Sequence, residues 1–189
     1  MKERDFIQNK KLTMQKLEKA KKEGKVDKDI IPILDIMNSY DEFYTSSSCY
    51  GRIVLLELPK LGDKKNAKWL GKWHRTIKSK ELLDAFDKAN KGMLWLLSQS
   101  PIIHVFAKDL SAADKLVKIA VSCGFKHSGF KTVDKNIIVE LSSTERLDSP
   151  IGSDKTLFYN KENIDFLVDV ANDVFEKSNK KLMKLKDRL

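Results

Sequence analysis

The chain has 189 residues, 41% of them hydrophobic and 33% charged, and a formal net charge of +9. This length predicts a single domain over 1–189 with enough apolar side chains for a core. No apolar run approaches the ~20 residues of a membrane span, and no apolar signal core follows the charged residues 1–5. Two cysteines outside any CxxC pair indicate neither a disulfide framework nor a zinc site. We therefore expect a cytoplasmic protein with reduced thiols, no membrane association and no metal.

The positive charge is concentrated in three segments, residues 1–28, 60–80 and 176–189. Residues 60–80 contain eight Lys and Arg against one Asp, and Trp69, Trp73 and His74 lie among them. Aromatic rings between cations can stack on unpaired bases, so this segment predicts contact with nucleic acid. The alternative for the two terminal segments is that they are only solvated helix faces. A thermophile's composition is an alternative explanation for the lysine excess as a whole.

The first predicted elements are helical. Apolar spacing predicts a helix over 3–23 that ends at Gly24, and then a helix with Asp27 or Asp29 as its N-cap and Pro32 in its first turn. We interpret residues 1–40 as a helical N-terminal extension. The pattern next predicts a polar loop over 38–48, a strand over 52–58, a basic loop over 60–65 and a strand over 67–77.

A helix, a glycine and two strands then occur twice. The first copy is a helix over 79–91 capped by Ser79, Gly92, and strands over 93–98 and 101–107. The second is a helix over 111–123, Gly124, and strands over 125–132 and 136–142. Duplicated helix–strand–strand units predict a mixed or antiparallel sheet with flanking helices, which is an α+β fold. A long helix over 161–188 closes the chain.

Two polar clusters flank predicted strands. Residues 46–53 combine three serines and Cys49 with Gly51 and Arg52, and residues 142–146 again place hydroxyls before an arginine. Small side chains let backbone approach a ligand, and a guanidinium offers a planar fork to a phosphate or carboxylate. These features predict a site for an anion or polar ligand. The alternative is a serine-rich turn with Arg52 in a surface ion pair.

Histidine and cysteine chemistry stays open at this stage. His104 lies in an apolar run and is either a buried, hydrogen-bonded histidine or a residue facing a ligand. Cys49 is either a small buried residue or a nucleophile that a nearby histidine activates. No GxGxxG follows a predicted strand, and no P-loop, HExxH or GxSxG is present. A Rossmann dinucleotide or methyl-donor fingerprint is therefore missing.

The order and spacing of these segments resemble the wybutosine-synthesising tRNA methyltransferase family over nearly the whole chain. Residues 44–53 resemble its SSCSGRI motif, with Tyr50 in place of the second small serine. Supporting segments are residues 24–27, 69–74, 103–105, 122–129 and 142–152. Glu145 and Arg146 stand where the eukaryotic branch tends to have His-Gly, so the chain resembles the archaeal form.

The resemblance implies a methyltransferase without the Rossmann fold that uses S-adenosylmethionine. Its target would be N4 of the tricyclic wybutosine precursor base next to the anticodon of tRNA-Phe. Within this reading, His104 or His74 takes the proton of the reacting nitrogen. The expected donor-binding residues form two walls, Ser47, Ser48, Gly51 and Arg52 against Ser142, Ser143, Thr144 and Arg146. The expected contacts to the anticodon loop are Lys64, Lys65, Lys68, Trp69, Lys72, Trp73 and Arg75.

Two other functions are compatible with parts of the sequence. A non-catalytic RNA-binding module explains the charge and the aromatic residues, but not the two hydroxyl-and-arginine clusters. A thiol-dependent enzyme would use Cys49. Saturable binding of S-adenosylmethionine separates the first alternative from the methyltransferase.

Overall fold

A computed structural model describes residues 3–63 and 65–189 of the chain. These residues divide into two compact units, each built from segments that are distant in sequence. The first unit comprises the chain up to Tyr50, Pro101–Thr144 and Asn179–Leu189, and the second comprises Gly51–Ser100 and Glu145–Ser178. A single domain over 1–189 stays a prediction. In the described part of the chain, no helix is long and apolar enough to cross a membrane.

The first unit contains a four-stranded antiparallel sheet with the order β1-β5-β7-β6. Its strands are β1 (Phe43–Cys49), β5 (Ile102–Ala107), β6 (Gly129–Thr132) and β7 (Ile137–Ser142). Its helices are α1 (Glu3–Lys22), α2 (Ile31–Ser39) and α4 (Leu110–Ser122), and a 3₁₀ turn covers Lys28–Ile30.

Alternation along β5 and β7 decides which face of this sheet holds the core. Ile103, Val105 and Val139 are fully buried together with apolar residues of α2 and α4. Because successive strand residues point to opposite faces, their neighbours His104 and Glu140 share the other face. The core face is hydrophobic. The other face has an aromatic part, where Tyr44 and Phe106 stack and Phe6 of α1 packs on Tyr44, and a polar part that contains His104 and Glu140.

The second unit contains a five-stranded antiparallel sheet with the order β3-β2-β4-β8-β9. Its strands are β2 (Arg52–Leu58), β3 (Lys68–Trp73), β4 (Met93–Gln99), β8 (Arg146–Ser153) and β9 (Thr156–Leu157). Helix α3 (Ser79–Phe86) and most of α5 (Lys161–Arg188) belong to this unit. On one sheet face Ile53, Leu55 and Leu96 are fully buried, and the Ser98 hydroxyl donates to the Ala171 carbonyl of α5 at 2.9 Å.

The predicted α+β class, with antiparallel sheets and flanking helices, is confirmed. The strands of the first helix–strand–strand copy nevertheless pair in different sheets, β4 in the second unit and β5 in the first. The predicted ends of α1 and α5 lie within one residue of the observed ends. Gly24 follows α1 with a φ of 66°, which explains why the helix stops there.

Several local predictions were wrong. The polar loop over 38–48 contains β1, whose pairing with β5 outweighs the weak strand propensity of its serines. Neither Asp27 nor Asp29 caps the second helix, whose N-cap is Ile30. The Asp27 carboxylate instead accepts from the Tyr50 backbone N–H at 2.9 Å. The polar cluster that begins at residue 142 was expected to end the last strand, but its residues from Arg146 onward form a further strand, β8. Pro150 is compatible with β8 because the partner β9 reaches only Gly152 and Ser153.

Helix α3 begins one residue after Lys78, which is its N-cap in place of Ser79. The Glu81 carboxylate accepts from the Lys78 backbone N–H at 3.0 Å and from the Arg75 guanidinium at 2.6 Å. These contacts, the one with Arg75 above all, lower the pKa of Glu81 to about 2.

We predict that Glu81→Gln lowers the melting temperature at pH 7, because glutamine keeps the cap but loses the ion pair. A depressed folded-state pKa stabilises the fold above the unfolded value of 4.5, and this stabilisation is lost as pH falls toward about 2. The difference from the wild type should therefore shrink between those pH values in thermal denaturation followed by circular dichroism. Asp84→Asn, in the exposed Lys80–Asp84 pair, is the control. A pH-independent difference would contradict the prediction.

Candidate active site

An irregularity in β1 brings a serine hydroxyl to the imidazole of His104. The pairing of β1 with β5 shifts register between Thr45 and Ser48, so β1 carries one extra residue there. Such bulges bend a strand and re-aim its side chains. The Ser47 hydroxyl consequently lies 2.7 Å from His104 Nδ1, while the Ser46 hydroxyl reaches only the His104 backbone carbonyl at 3.4 Å.

The second nitrogen of His104 faces a carboxylate. Glu140 lies directly opposite His104 across β5 and β7, and its Oε2 is 2.7 Å from His104 Nε2. Lys131 also contacts this carboxylate at 2.8 Å. The hydrogen bond from Lys131 is the largest cause that lowers the pKa of Glu140, and the bond to His104 acts in the same direction. The carboxylate therefore stays ionised and can only accept hydrogen bonds.

These contacts set the tautomer of a neutral His104. A carboxylate acceptor requires the proton on Nε2, which leaves Nδ1 to accept from the Ser47 hydroxyl. Ser47, His104 and Glu140, together called the relay here, thus form one continuous chain of hydrogen bonds. The His104 and Glu140 side chains are 26% and 22% exposed. The relay is open to a substrate, so His104 is not a fully buried core histidine.

The predicted hydroxyl residues of the first unit lie near one end of its sheet. Ile102, where β5 begins, pairs with Cys49 at the end of β1 and with Ser142 at the end of β7. Ser48 is half-buried next to Cys49, Ser143 is buried, and Thr144 is exposed.

The predicted residues of the second unit form another polar group. Arg52, Gln99 and Arg146 occupy one cross-strand row of β2, β4 and β8. Arg52 Nε donates to Gln99 Oε1 at 2.8 Å, and its guanidinium carbon lies 4.8 Å from the centre of a Trp69 ring. Arg146 is bound to the Asp148 carboxylate, with its Nε 2.6 Å from Oδ2. Gly51 precedes this row with a φ of 94°, a conformation that favours glycine.

The second unit also encloses a pocket of about 470 Å³ on this face of its sheet. Its polar and aromatic lining consists of Arg52, Trp69, Trp95, Gln99, Arg146 and Asp148. This cavity is called the aromatic pocket below. The Trp95 indole nitrogen is buried and has no hydrogen-bond partner among the residues that the structure describes.

The two histidine candidates belong to different units. His74 Nδ1 donates to the Gly51 carbonyl at 2.8 Å within the second unit. His104 instead has a hydroxyl on one nitrogen and a carboxylate on the other. The arrangement around His104 is therefore that of a positioned proton acceptor.

The predicted RNA contacts differ in how far their side chains are available. Lys68 pairs with the buried Glu57 at 3.4 Å, and Arg75 pairs with Glu81. Lys65 and Lys72 are exposed, and Trp69 is 50% exposed. Trp73 lies over its strand neighbour Gly71, where an added Cβ would be 2.1 Å from the indole. Lys64 lies outside the described residues.

Five site residues escaped the sequence reasoning, namely Glu140, Lys131, Trp95, Gln99 and Asp148. Trp95 and Gln99 lie in a strand that reads as hydrophobic core, and Glu140 ends a run of apolar residues. The internal repeat did contain one signal for Glu140. When the two helix–strand–strand copies are aligned, the strand that contains His104 corresponds to the strand that contains Glu140.

The chain matches a known protein family over nearly its whole length. Residues 8–189 match the family described as Methyltransferase TYW3. The chain belongs to the TYW3 methyltransferase family. The resemblance stated from the motifs is therefore confirmed, and the family implies a methyl donor.

Two curated relatives illustrate the TYW3 match. A Pyrococcus horikoshii protein named tRNA(Phe) 7-((3-amino-3-carboxypropyl)-4-demethylwyosine(37)-N(4))-methyltransferase 1 is 46% identical over 98% of this chain and 95% of its own length. A Methanocaldococcus jannaschii protein with the same name, without the final number, is 39% identical over 97% of this chain and 96% of its own length.

Two solved structures share the fold of this chain. The PH1069 protein from Pyrococcus horikoshii superposes with a TM-score of 0.94 at 46% identity, covering 98% of this chain and 96% of that one. A hypothetical protein from Aeropyrum pernix, at 22% identity, covers 86% of this chain and 99% of that one with a TM-score of 0.73. This second likeness shows the fold alone.

We predict that neutral His104 carries its proton on Nε2 in the wild type and in Ser47→Ala. Glu140→Ala should abolish this preference, because it removes the acceptor that sets the tautomer. Long-range ¹H–¹⁵N correlation spectra at a pH where the ring is neutral measure the tautomer directly. Ser46→Ala is the neighbouring control, and an Nδ1-protonated ring in the wild type would contradict the assigned hydrogen bonds.

Proposed function

We propose that this protein transfers a methyl group from S-adenosylmethionine to N4 of the 7-(3-amino-3-carboxypropyl)-4-demethylwyosine base of tRNA(Phe). The curated relatives are named as N(4)-methyltransferases of this base in tRNA(Phe), and they span nearly the whole chain. The observation that carries the proposal for this chain is the relay, which presents a histidine acceptor through an exposed serine hydroxyl.

The relay supplies what methylation of a ring nitrogen requires. The reacting N4 must lose its proton as the new C–N bond forms. The Ser47 oxygen accepts this proton while the Ser47 hydroxyl hydrogen passes to His104 Nδ1. Glu140 stabilises the resulting imidazolium through Nε2, and Lys131 keeps Glu140 ionised. Ser47 thus holds a catalytic position in this proposal, and Glu140 is a positioning residue.

The residues of the chain fit S-adenosylmethionine, which supplies an electrophilic methyl group on a sulfonium when bound. Indole rings suit an adenine ring or a sulfonium, and a guanidinium suits the donor's carboxylate. The aromatic pocket contains both, together with the unpartnered indole nitrogen of Trp95. The two donor-binding walls expected from the sequence, Ser47, Ser48, Gly51 and Arg52 against Ser142, Ser143, Thr144 and Arg146, stay a prediction.

The tRNA contact is proposed for the basic segment 60–80. Lys65, Lys72 and Trp69 expose their side chains, which suits phosphates and a splayed base of the anticodon loop. A non-catalytic RNA-binding module shares this surface but has no use for the relay. Cytoplasmic localisation follows from the proposed substrate.

The proposed activity is tested by transfer of labelled methyl to tRNA(Phe) from cells that lack this protein. We predict that Ser47→Ala and His104→Gln each reduce kcat by about 10²–10⁴, the usual contribution of a positioned proton acceptor. Ser46→Ala and His127→Gln should retain activity, since the Ser46 hydroxyl reaches only a carbonyl and His127 is exposed. Full activity in His104→Gln would exclude the relay. Tight tRNA binding without transfer by the wild type would instead favour the RNA-binding module.

Salt dependence tests the basic segment. We predict that Lys65→Ala and Lys72→Ala each weaken tRNA binding and reduce the slope of log K against log salt by about 0.7, the value for one lost contact to a single-stranded phosphate. Filter binding at several salt concentrations measures the slope. Lys118→Ala, which removes an exposed lysine paired with Asp114 in α4, is the control. An unchanged slope in both variants would remove these lysines from the interface.

A further inference from the structure

The aromatic pocket combines two kinds of recognition on one sheet face. Trp69 and Trp95 provide flat apolar surface, and Arg52, Arg146 and Asp148 bring charges of both signs. A volume of about 470 Å³ is in the range of small-molecule sites. Such a lining suits a planar ring that carries a short polar arm with a positive and a negative end.

Arg52 is fixed in an orientation that leaves part of its fork available. Its Nε is bound to Gln99 and its plane is held near Trp69. Its two terminal nitrogens have no hydrogen-bond partner among residues 3–63 and 65–189. A guanidinium with both terminal groups available binds a carboxylate through two parallel hydrogen bonds.

Asp148 offers the complementary group. Arg146 binds only one of its oxygens, Oδ2, which leaves Oδ1 without a partner in the described chain. Asp148 lies two residues from Arg146 along β8, and Arg146 is in the same cross-strand row as Arg52. Strand spacing separates the Arg52 and Arg146 backbones by about 10 Å, so carboxylate and ammonium ends of one small ligand can be bound together.

We propose that the aromatic pocket binds a 3-amino-3-carboxypropyl zwitterion together with the planar ring that carries it. Arg52 takes the carboxylate, Asp148 takes the ammonium group, and Trp69 and Trp95 contact the ring. This inference rests on the proposed function. The arm is part of the target base named in the relatives, and S-adenosylmethionine carries the same arm on its sulfonium. The pocket chemistry is shared by both sources.

The first experiment tests the donor as the source. S-adenosylhomocysteine and 5′-methylthioadenosine share the adenosine thioether, but only the former has the amino-acid arm. A titration followed by tryptophan fluorescence should show that S-adenosylhomocysteine binds at least about tenfold more tightly than 5′-methylthioadenosine. The reason is that 5′-methylthioadenosine lacks the charged groups that form these hydrogen bonds. Arg52→Gln and Asp148→Asn should bring the two ligands within about threefold of each other and leave the affinity for 5′-methylthioadenosine unchanged. That retained binding also shows that the variants are folded.

The second experiment tests the target base as the source. Methyl transfer is compared on tRNA(Phe) whose tricyclic base carries or lacks the arm. The wild type should prefer the base with the arm by about tenfold or more in kcat/KM, and Arg52→Gln should lose this preference. Arg188→Gln and Asp84→Asn, which change the same residue types outside the pocket, should behave as the wild type in both experiments.

The outcomes separate the sources and the two proposals. If the variants remove the preference for S-adenosylhomocysteine in the first experiment, the donor binds in the pocket. If Arg52→Gln removes the preference for the base with the arm in the second experiment, the target base binds there. Variants that change neither comparison overturn the pocket assignment, and methyl transfer by the wild type then leaves the proposed function standing. Selective binding of S-adenosylhomocysteine without transfer to any tRNA would instead overturn the function and retain the pocket.

Discussion

The direct pairing of His104 with Glu140 across β5 and β7 is the constraint on which the relay depends. Because antiparallel partners share a face, this register places the carboxylate 2.7 Å from the imidazole. Lys131 keeps the carboxylate charged. The charged carboxylate fixes the proton of a neutral His104 on Nε2, so that Nδ1 accepts from the Ser47 hydroxyl. A slip of one residue would turn His104 toward the core face of Ile103 and Val105. The hydrophobic pattern that folds the sheet therefore also determines its chemistry.

The second unit separates stability and recognition in a similar way. Its core face is apolar and covered by helices, whereas Arg52, Gln99 and Arg146 share a cross-strand row on the other face. Side chains of this cross-strand row can be substituted without opening a cavity in the core on the opposite face. This separation makes functional substitutions in the row interpretable as effects on binding.

Sequence patterns predicted what depends on local spacing. Helix α5 was found from its apolar stripe, and His104 stood out because it interrupts an apolar run. Arg52 stood out because it follows a cluster of small and hydroxyl side chains just before a strand. Strand β1 was missed because three serines and a bulge interrupt its alternation, and β8 was missed because Pro150 argues against a paired strand. Glu140 and Asp148 were missed because their roles depend on strand register. That register is set by pairing between segments that are far apart in the chain, so it cannot be predicted from the periodicity of any one segment.

The interleaved segments of the two units have a consequence for how the protein is made. The core of the first unit includes Leu182 and Leu185, which come from its final segment, Asn179–Leu189. During translation the earlier strands of this unit emerge long before the residues that complete their core. Such distant contacts slow folding and lengthen the time for which strand edges are exposed to other chains. The segment Asn179–Leu189 therefore completes the packing of the unit that carries the relay, and a chain that lacks this segment would leave the core of that unit incomplete.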